Sequence, residues 1–298
     1  LVPLVSGADA VVHLAWAIQP SRDLEVLRAT NVTGSRRVFD AVDRAGVPNL
    51  VYASSIGAYS PGPKDRKVKE DWPTNGIPTS FYSRHKAEVE RLLDDLEARA
   101  PHIRVVRLRK AVILKAEAAC GIRRLFLGPF IPTTLAKPSR IPALPHIKGI
   151  RTQFVHSYDV GEAYRLALVK DVRGPFNVAA DPVLDFKTIA KLLDARPVTV
   201  PRWLARGATD ITWRLHLQPS PVGWFDMAAQ TPLLDSTRAR EELGWTPRHS
   251  SVDALLDFLD GLHNHNCLPT PPLARGTGGP FRLREILSGV GARQATGH

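Results

Sequence analysis

Two rhythms of apolar and polar positions run through the chain. Short apolar runs rich in β-branched residues predict strands at 9–16 (DAVVHLAW), 49–54 (NLVYAS), 103–108, 154–160 and 175–179. Apolar residues three or four apart predict helices between them. One covers 23–45, with Leu24, Leu27, Val38, Phe39 and Val42 at helical spacing, and another opens at Tyr82 behind a Thr79 or Ser80 cap. Further helices are predicted at 186–194, 201–217, 236–243 and 252–262, and residues 1–7 read as the tail of one more. Strand and helix alternate, which predicts an α/β chain built on a parallel sheet. Residues 60–78, rich in Pro, Gly, Lys and Asp, form a long loop expected to line a substrate entrance.

The candidate chemistry sits on either side of that loop. Ser55 ends the strand 49–54, and Tyr82 opens the following helix in Tyr82-Ser83-Arg84-His85-Lys86. Residues four apart share a helix face, so Tyr82 and Lys86 point the same way. An ammonium beside a phenol favours the phenolate and draws its ordinary pKa of about 10 toward neutrality. Such a tyrosine exchanges a proton with a substrate hydroxyl near neutral pH. Ser55 would hydrogen-bond the same oxygen. A Tyr-x-x-x-Lys spacing alone is more often an aromatic edge beside a solvated amine; the order of the surrounding elements distinguishes the two readings.

That order resembles the extended short-chain dehydrogenase/reductase family, in its NAD-dependent epimerase/dehydratase branch, over roughly residues 9–260. The resemblance implies a Rossmann-like doubly wound parallel sheet with a smaller C-terminal substrate lobe. It implies Ser55, Tyr82 and Lys86 as catalytic residues with Asn31, of Asn31-Val32-Thr33-Gly34, in support. NAD or NADP would lie against Leu14, Ala15, Trp16, Asn31, Ser54, Tyr82, Lys86, Ala111 and Val112. The expected divisions are a partial dinucleotide-binding domain at 1–115, a substrate lobe interleaved with the last Rossmann elements at 116–262, and a poorly ordered tail at 263–298.

The chain also departs from the family. Lys110 replaces a proline beside the nicotinamide, and Leu114-Lys115-Ala116 replaces an aromatic-Gly-Pro turn, departures that flank the expected Ala111 and Val112 contacts. Dehydratases of this branch carry an Asp-Glu pair after the serine; Ile56 and Gly57 stand there and cannot titrate, so dehydration is not expected. No Gly-rich turn precedes Asp9, so the first strands, on the order of 60 residues, read as missing. The strand at 9–15 would then be a sheet edge, open to pairing with another chain such as a homodimer partner, and NAD(P) binding by these residues alone would be poor. A non-catalytic cofactor-binding or interaction protein is the alternative that follows. The residue that would tell NAD from NADP is not among those present.

Composition changes the picture little. The 298 residues, 44% hydrophobic, are enough for one large α/β unit with a smaller lobe. The net charge of +11 comes from scattered cations, among them Arg36-Arg37, the run 104–110, Arg123-Arg124 and 238–240. They read as an enzyme surface facing a small-molecule substrate, with no nucleic-acid partner. No apolar run reaches membrane length and no signal pattern opens the chain, so no membrane partner and a cytoplasmic location are expected. Cys120 and Cys267 cannot build a disulfide framework. His263, His265 and Cys267 are not expected to hold a metal. Glu162 three residues after Asp159 reads as a capping box. Trp203, Trp213, Trp224 and Trp245 read mostly as core, with one or two lining a pocket for an apolar ring.

Overall fold

Four strands, β1 (Val11–His13), β2 (Asn49–Tyr52), β3 (Arg104–Lys110) and β4 (Gly174–Val178), lie side by side in that order, all parallel. The computed structural model describes residues 1–128, 136–270, 273–274, 285 and 289–290. Helices α1 (Gly34–Arg44), α2 (Phe81–Arg99) and α3 (Ser157–Val169) make the returns. Side chains alternate across a strand, so the sheet feeds two cores. Leu50, Tyr52 and Val105 pack with Phe39 of α1 and Leu93 of α2. Val51, Val106, Leu108 and Phe176 pack on the other face with Ala163 of α3 and Trp245. Helices on both faces of a parallel sheet are the doubly wound arrangement expected.

The cations of β3 are not on the surface, as their scattered distribution predicts; Arg104, Arg107, Arg109 and Lys110 are all buried. The alternation separates them. Arg104 faces α3 and donates to the carbonyls of Ala167 (2.9 Å), Leu168 (2.9 Å) and Lys170 (2.6 Å). It thereby satisfies the free acceptors at the helix end, where a cation also suits the dipole. Lys110 donates to Tyr164 Oη of α3 at 2.8 Å. Arg107 and Arg109 face α2 and both pair with the fully buried Glu90, at 3.1 and 2.8 Å. Burial pushes the Glu90 carboxyl up, but Arg109 and Arg107 outweigh it and hold the group down at about 2.

Several elements differ from their sequence patterns. β1 stops at His13, and the predicted helix 23–45 is broken into Leu24–Arg28, a π-helical turn Ala29–Thr33 and α1. Asn31, in the π turn, grips the backbone of Ala17 and so draws the chain away from the sheet. The strand predicted at 154–160 ends at His156, which itself caps α3. Asp159 is not the cap; its carboxylate receives the N–H groups of Arg248 (3.0 Å) and His249 (2.9 Å). The loop 60–78 is pinned to the body, because Lys67–Val68 pairs with Leu233–Leu234 and Ile77 is fully buried.

Around this sheet lie α4 (Arg202–Arg214), α5 (Val222–Gln230) and α6 (Ser251–His263). The apolar pattern anticipates α4 and α6 but not α5. α6 covers Leu114 and Leu184 in a separate core. Trp245 is core as expected, whereas Trp203 is 74% exposed. Cys120 and Cys267 are joined in one disulfide. Most of the tail expected at 263–298, including Gly276–Gly279, lies outside the described residues. Among the described residues no group of three His, Cys, Asp or Glu is placed to hold a metal. No described helix is long and apolar enough to cross a membrane.

Candidate active site

The C-terminal end of β2 delivers Ser55, which caps the short turn Ile56–Ala58 by accepting the Gly57 N–H at 3.0 Å. Opposite, Ser80 caps α2, its hydroxyl accepting the Ser83 N–H at 3.3 Å. Ser83 then ties the two turns together: its hydroxyl donates to the Gly57 carbonyl and accepts the Ile77 N–H at 2.6 Å. This stitching fixes the rotation of α2 and sets Tyr82, in its first turn, against the turn that Ser55 caps. Gly57 makes room for it. A Cβ there would stand 2.8 Å from Tyr82 Cε1 and 3.1 Å from Met227 Sδ, closer than carbon atoms pack.

Tyr82, Lys86 and Glu90 form one stripe of α2 at i, i+4 and i+8. Lys86 Nζ donates to the Ala53 carbonyl at 2.7 Å and to Tyr52 Oη at 3.2 Å. It lies 3.4 Å over the Trp16 ring and 5.8 Å from the Tyr82 ring centre. The expected tuning of the phenol is not what the site does. Burial raises the Tyr82 phenol above its ordinary value, and the Ser55 hydrogen bond offsets this in part. The reason lies in Lys86 itself. Burial, reinforced by the Lys110 charge, pushes its amine well below the usual lysine range, against a contrary pull from Glu90. An amine that resists protonation exerts little pull on a neighbouring phenol. Burial also brings Lys110 down to about 7.

The other expected residues divide. Asn31 spends its side chain on Ala17, accepting from the N–H at 2.7 Å and donating to the carbonyl at 2.8 Å, so it shapes the loop after β1. Behind it the Ser35 hydroxyl donates to the Asn31 carbonyl, which leaves Ser35 to accept from His13 Nε2 at 2.9 Å. Burial, then the Lys86 charge, hold His13 down at about 4. Ser54 turns its hydroxyl inward to Glu90. Ala111 is buried, while Leu14, Ala15 and Val112 present exposed apolar surface at the ends of β1 and of β3.

Two tryptophans complete the site: Trp16, expected against the cofactor, and Trp224, one of those read mostly as core with one or two lining a pocket. α5 brings Trp224 to 4.7 Å from the Tyr82 ring, and Trp16 meets the same ring edge-on at 5.8 Å. The approach of α5 depends on Gly223, where a Cβ would stand 2.6 Å from the Thr79 carbonyl. Phe126 packs against Trp224 at 4.9 Å. Glu90 was legible as the next step of the Tyr82–Lys86 stripe; Trp224 was one of several tryptophans, with no local mark to single it out.

A doubly wound parallel sheet with a serine and a Tyr-x-x-x-Lys helix meeting at its strand ends defines a protein of the Rossmann-like short-chain dehydrogenase/reductase class. The profile of the NAD dependent epimerase/dehydratase family matches residues 2–179, and the chain belongs to that family. An uncharacterized protein of Mycobacterium tuberculosis is 26% identical over 257 residues, which is 85% of this chain and 65% of that protein. The chain thus spans less than two thirds of the length of that relative. A sterol-4-alpha-carboxylate 3-dehydrogenase of Saccharomyces cerevisiae is 33% identical over 88 residues, 30% of this chain and 25% of the yeast protein. Among solved structures, UDP-glucuronic acid 4-epimerase from Bacillus cereus in complex with NAD superposes with a TM-score of 0.62 at 18% identity, covering 89% of this chain and 77% of that one. A short-chain dehydrogenase/reductase superfamily protein from Agrobacterium tumefaciens with bound NAD gives 0.61 at 23%, covering 89% and 82%. The expected family and fold class are therefore those found.

Proposed function

We propose that this chain is an NAD-dependent oxidoreductase or epimerase that interconverts a carbonyl and a secondary alcohol on a small substrate. Nucleotide sugars are one class its structural relatives hold, and a sterol derivative is named for another relative. The observation that carries the reading is the tie from Ser83 to Gly57, which sets Tyr82 against the turn that Ser55 caps, with Lys86 one turn behind. Bound nicotinamide would supply or accept the hydride. Leu14, Ala15, Trp16, Val112 and Lys86 would hold its nicotinamide end.

The protein's own groups handle the proton. Tyr82 keeps its proton at neutral pH because burial disfavours the phenolate, which suits a donor to a carbonyl oxygen becoming an alkoxide. Ser55 donates a second hydrogen bond to that oxygen and fixes its position. Lys86, anchored on Ala53 and Tyr52, holds the strand end and the helix in register. Ile56 and Gly57 offer no titrating group for loss of water, so the reaction stops at oxidation, reduction or inversion.

Substituting Tyr82→Phe tests this by nicotinamide absorbance with carbonyl substrates. Loss of the acid should lower kcat by about 10²–10⁴-fold with cofactor affinity retained. An unchanged rate removes Tyr82 from the chemistry.

A further inference from the structure

A cleft of about 440 Å³ opens between α4 and the turn Arg123–Leu127, lined by Phe126, Leu127, Ala208, Thr212, Leu217 and Gln218, with Thr209 beside them. Among the described residues no charged side chain lines it. Its side-chain donors are engaged within the protein. The Thr209 hydroxyl donates to the Ala205 carbonyl at 2.9 Å, and that of Thr212 to the Ala208 carbonyl at 2.7 Å. The Gln218 amide donates to the carbonyls of Thr209 (3.0 Å) and Ser220 (2.9 Å). The wall therefore offers a ligand methyl, methylene and ring surface, and a diphosphate or a sugar would lose its hydration there without replacement.

The cleft is framed firmly and lies close to the candidate chemistry. Gln19 donates to the carbonyls of Leu125 (3.0 Å) and Pro219 (3.1 Å), and Ser220 to that of Phe126 (2.9 Å), so both lips are tied to the loop after β1 or to each other. From Phe126 an aromatic path runs through Trp224 to Tyr82, in ring steps of 4.9 and 4.7 Å. Along that path Trp224 Nε1 is buried with no hydrogen-bond partner among the described residues. An unpaired buried donor is costly, and one oxygen on an otherwise apolar ligand would satisfy it. On the same helix Leu204 and Ile211, and Leu215 just after its end, are exposed apolar side chains.

We infer that this cleft binds the hydrocarbon body of the substrate, an aliphatic or alicyclic ketone or secondary alcohol whose oxygen reaches Tyr82. The inference rests on the proton-transfer role proposed for Tyr82 and narrows its substrate class to apolar molecules.

Binding of 2-dodecanone to the full chain, followed by tryptophan fluorescence with UDP-glucose as the comparison, tests it apart from turnover. Saturable binding of the ketone, weakened about tenfold or more in Ala208→Glu by a carboxylate on the cleft wall, is expected. Thr212→Val, which keeps the shape and removes a hydroxyl, should retain ketone binding and so guards against a folding artefact. Tyr82→Phe should also retain it. Loss of turnover with binding kept supports both readings. Turnover of the ketone that survives Tyr82→Phe overturns the role of Tyr82 and leaves the cleft standing. Saturable binding of UDP-glucose in its place, or ketone binding indifferent to Ala208→Glu, overturns the apolar site.

Discussion

Tyr82 owes its position to neighbours that carry no titrating chemistry. Gly57 is the clearest, since any side chain there enters the space of the phenol ring. Gly57→Ala should cost about 1–3 kcal/mol of stability through overpacking and displace the ring from Ser55, lowering kcat on the order of 10²-fold; thermal melts and steady-state rates would separate the two effects. Ser55 contributes in a second way, because its hydrogen bond is what lowers a phenol that burial raises. In the direction of alcohol oxidation the phenolate is the active form, so the rate should rise as pH passes the Tyr82 pKa. Ser55→Ala removes the lowering influence, and the alkaline limb of the pH–rate profile should move to higher pH. A limb that stays put would detach Ser55 from the phenol. At this scale Ser55, Tyr82 and Lys86 were legible because their spacing is local. The direction of the tyrosine shift was not, because it depends on how deeply Lys86 is buried and on Lys110, which arrives from another strand.

Among the elements, β3 shows how far charge can run against a surface reading. Its alternation sends Arg107 and Arg109 to one carboxylate on α2 and Arg104 to the free carbonyls of α3. Glu90→Gln should destabilise the chain at pH 7 by about 3–5 kcal/mol, as expected when one partner of a buried pair is removed. The pH dependence follows from the sign of the shift. Glu90 sits at about 2 when folded, below its ordinary 4.5, so its contribution is complete above that ordinary value and is lost as pH falls through about 2. Urea titrations across that window should show a shallower acid loss in Glu90→Gln than in the parent. Lys110 gives the opposite case of a charge that is costly to keep. With its amine lowered from 10.5 to about 7, the folded state is penalised most below pH 7 and least above pH 10.5. Lys110→Met should therefore stabilise the protein in neutral and acid solution, with the gain fading as pH rises. The main strands and helices were readable because periods of 2 and 3.6 are written locally. The short β1 and the π turn were not, since the bonds of Asn31 to Ala17 impose them from across a loop. α5 was missed for a related reason: its apolar residues face α2 and Phe126, contacts that only the folded chain defines.

In the whole molecule, the site forms where four parallel strands end and where α5 and the turn Arg123–Leu127 close over α2. The disulfide between Cys120 and Cys267 joins positions 147 residues apart. It is a single link and not a framework, so the cysteine count gave no reason to expect it. Closing so long a loop restricts the unfolded chain, and Cys120→Ser should cost about 2–5 kcal/mol in non-reducing buffer. Thiol titration of the native chain should find no reactive cysteine until a reductant is added. The family and the fold were legible from the order of motifs. The apolar cleft beside Trp224 was not, because it joins two stretches, 126–127 and 208–218, far apart in sequence.

The central claim is that Ser55 and Tyr82 act on one substrate oxygen. A double-mutant cycle on kcat with Ser55→Ala and Tyr82→Phe measures this directly. If the account is right, the double variant is scarcely slower than Tyr82→Phe alone, because holding the substrate oxygen speeds the reaction only while Tyr82 is there to pass it a proton. Losses that simply multiply would mean that the two hydroxyls work independently, and would contradict it.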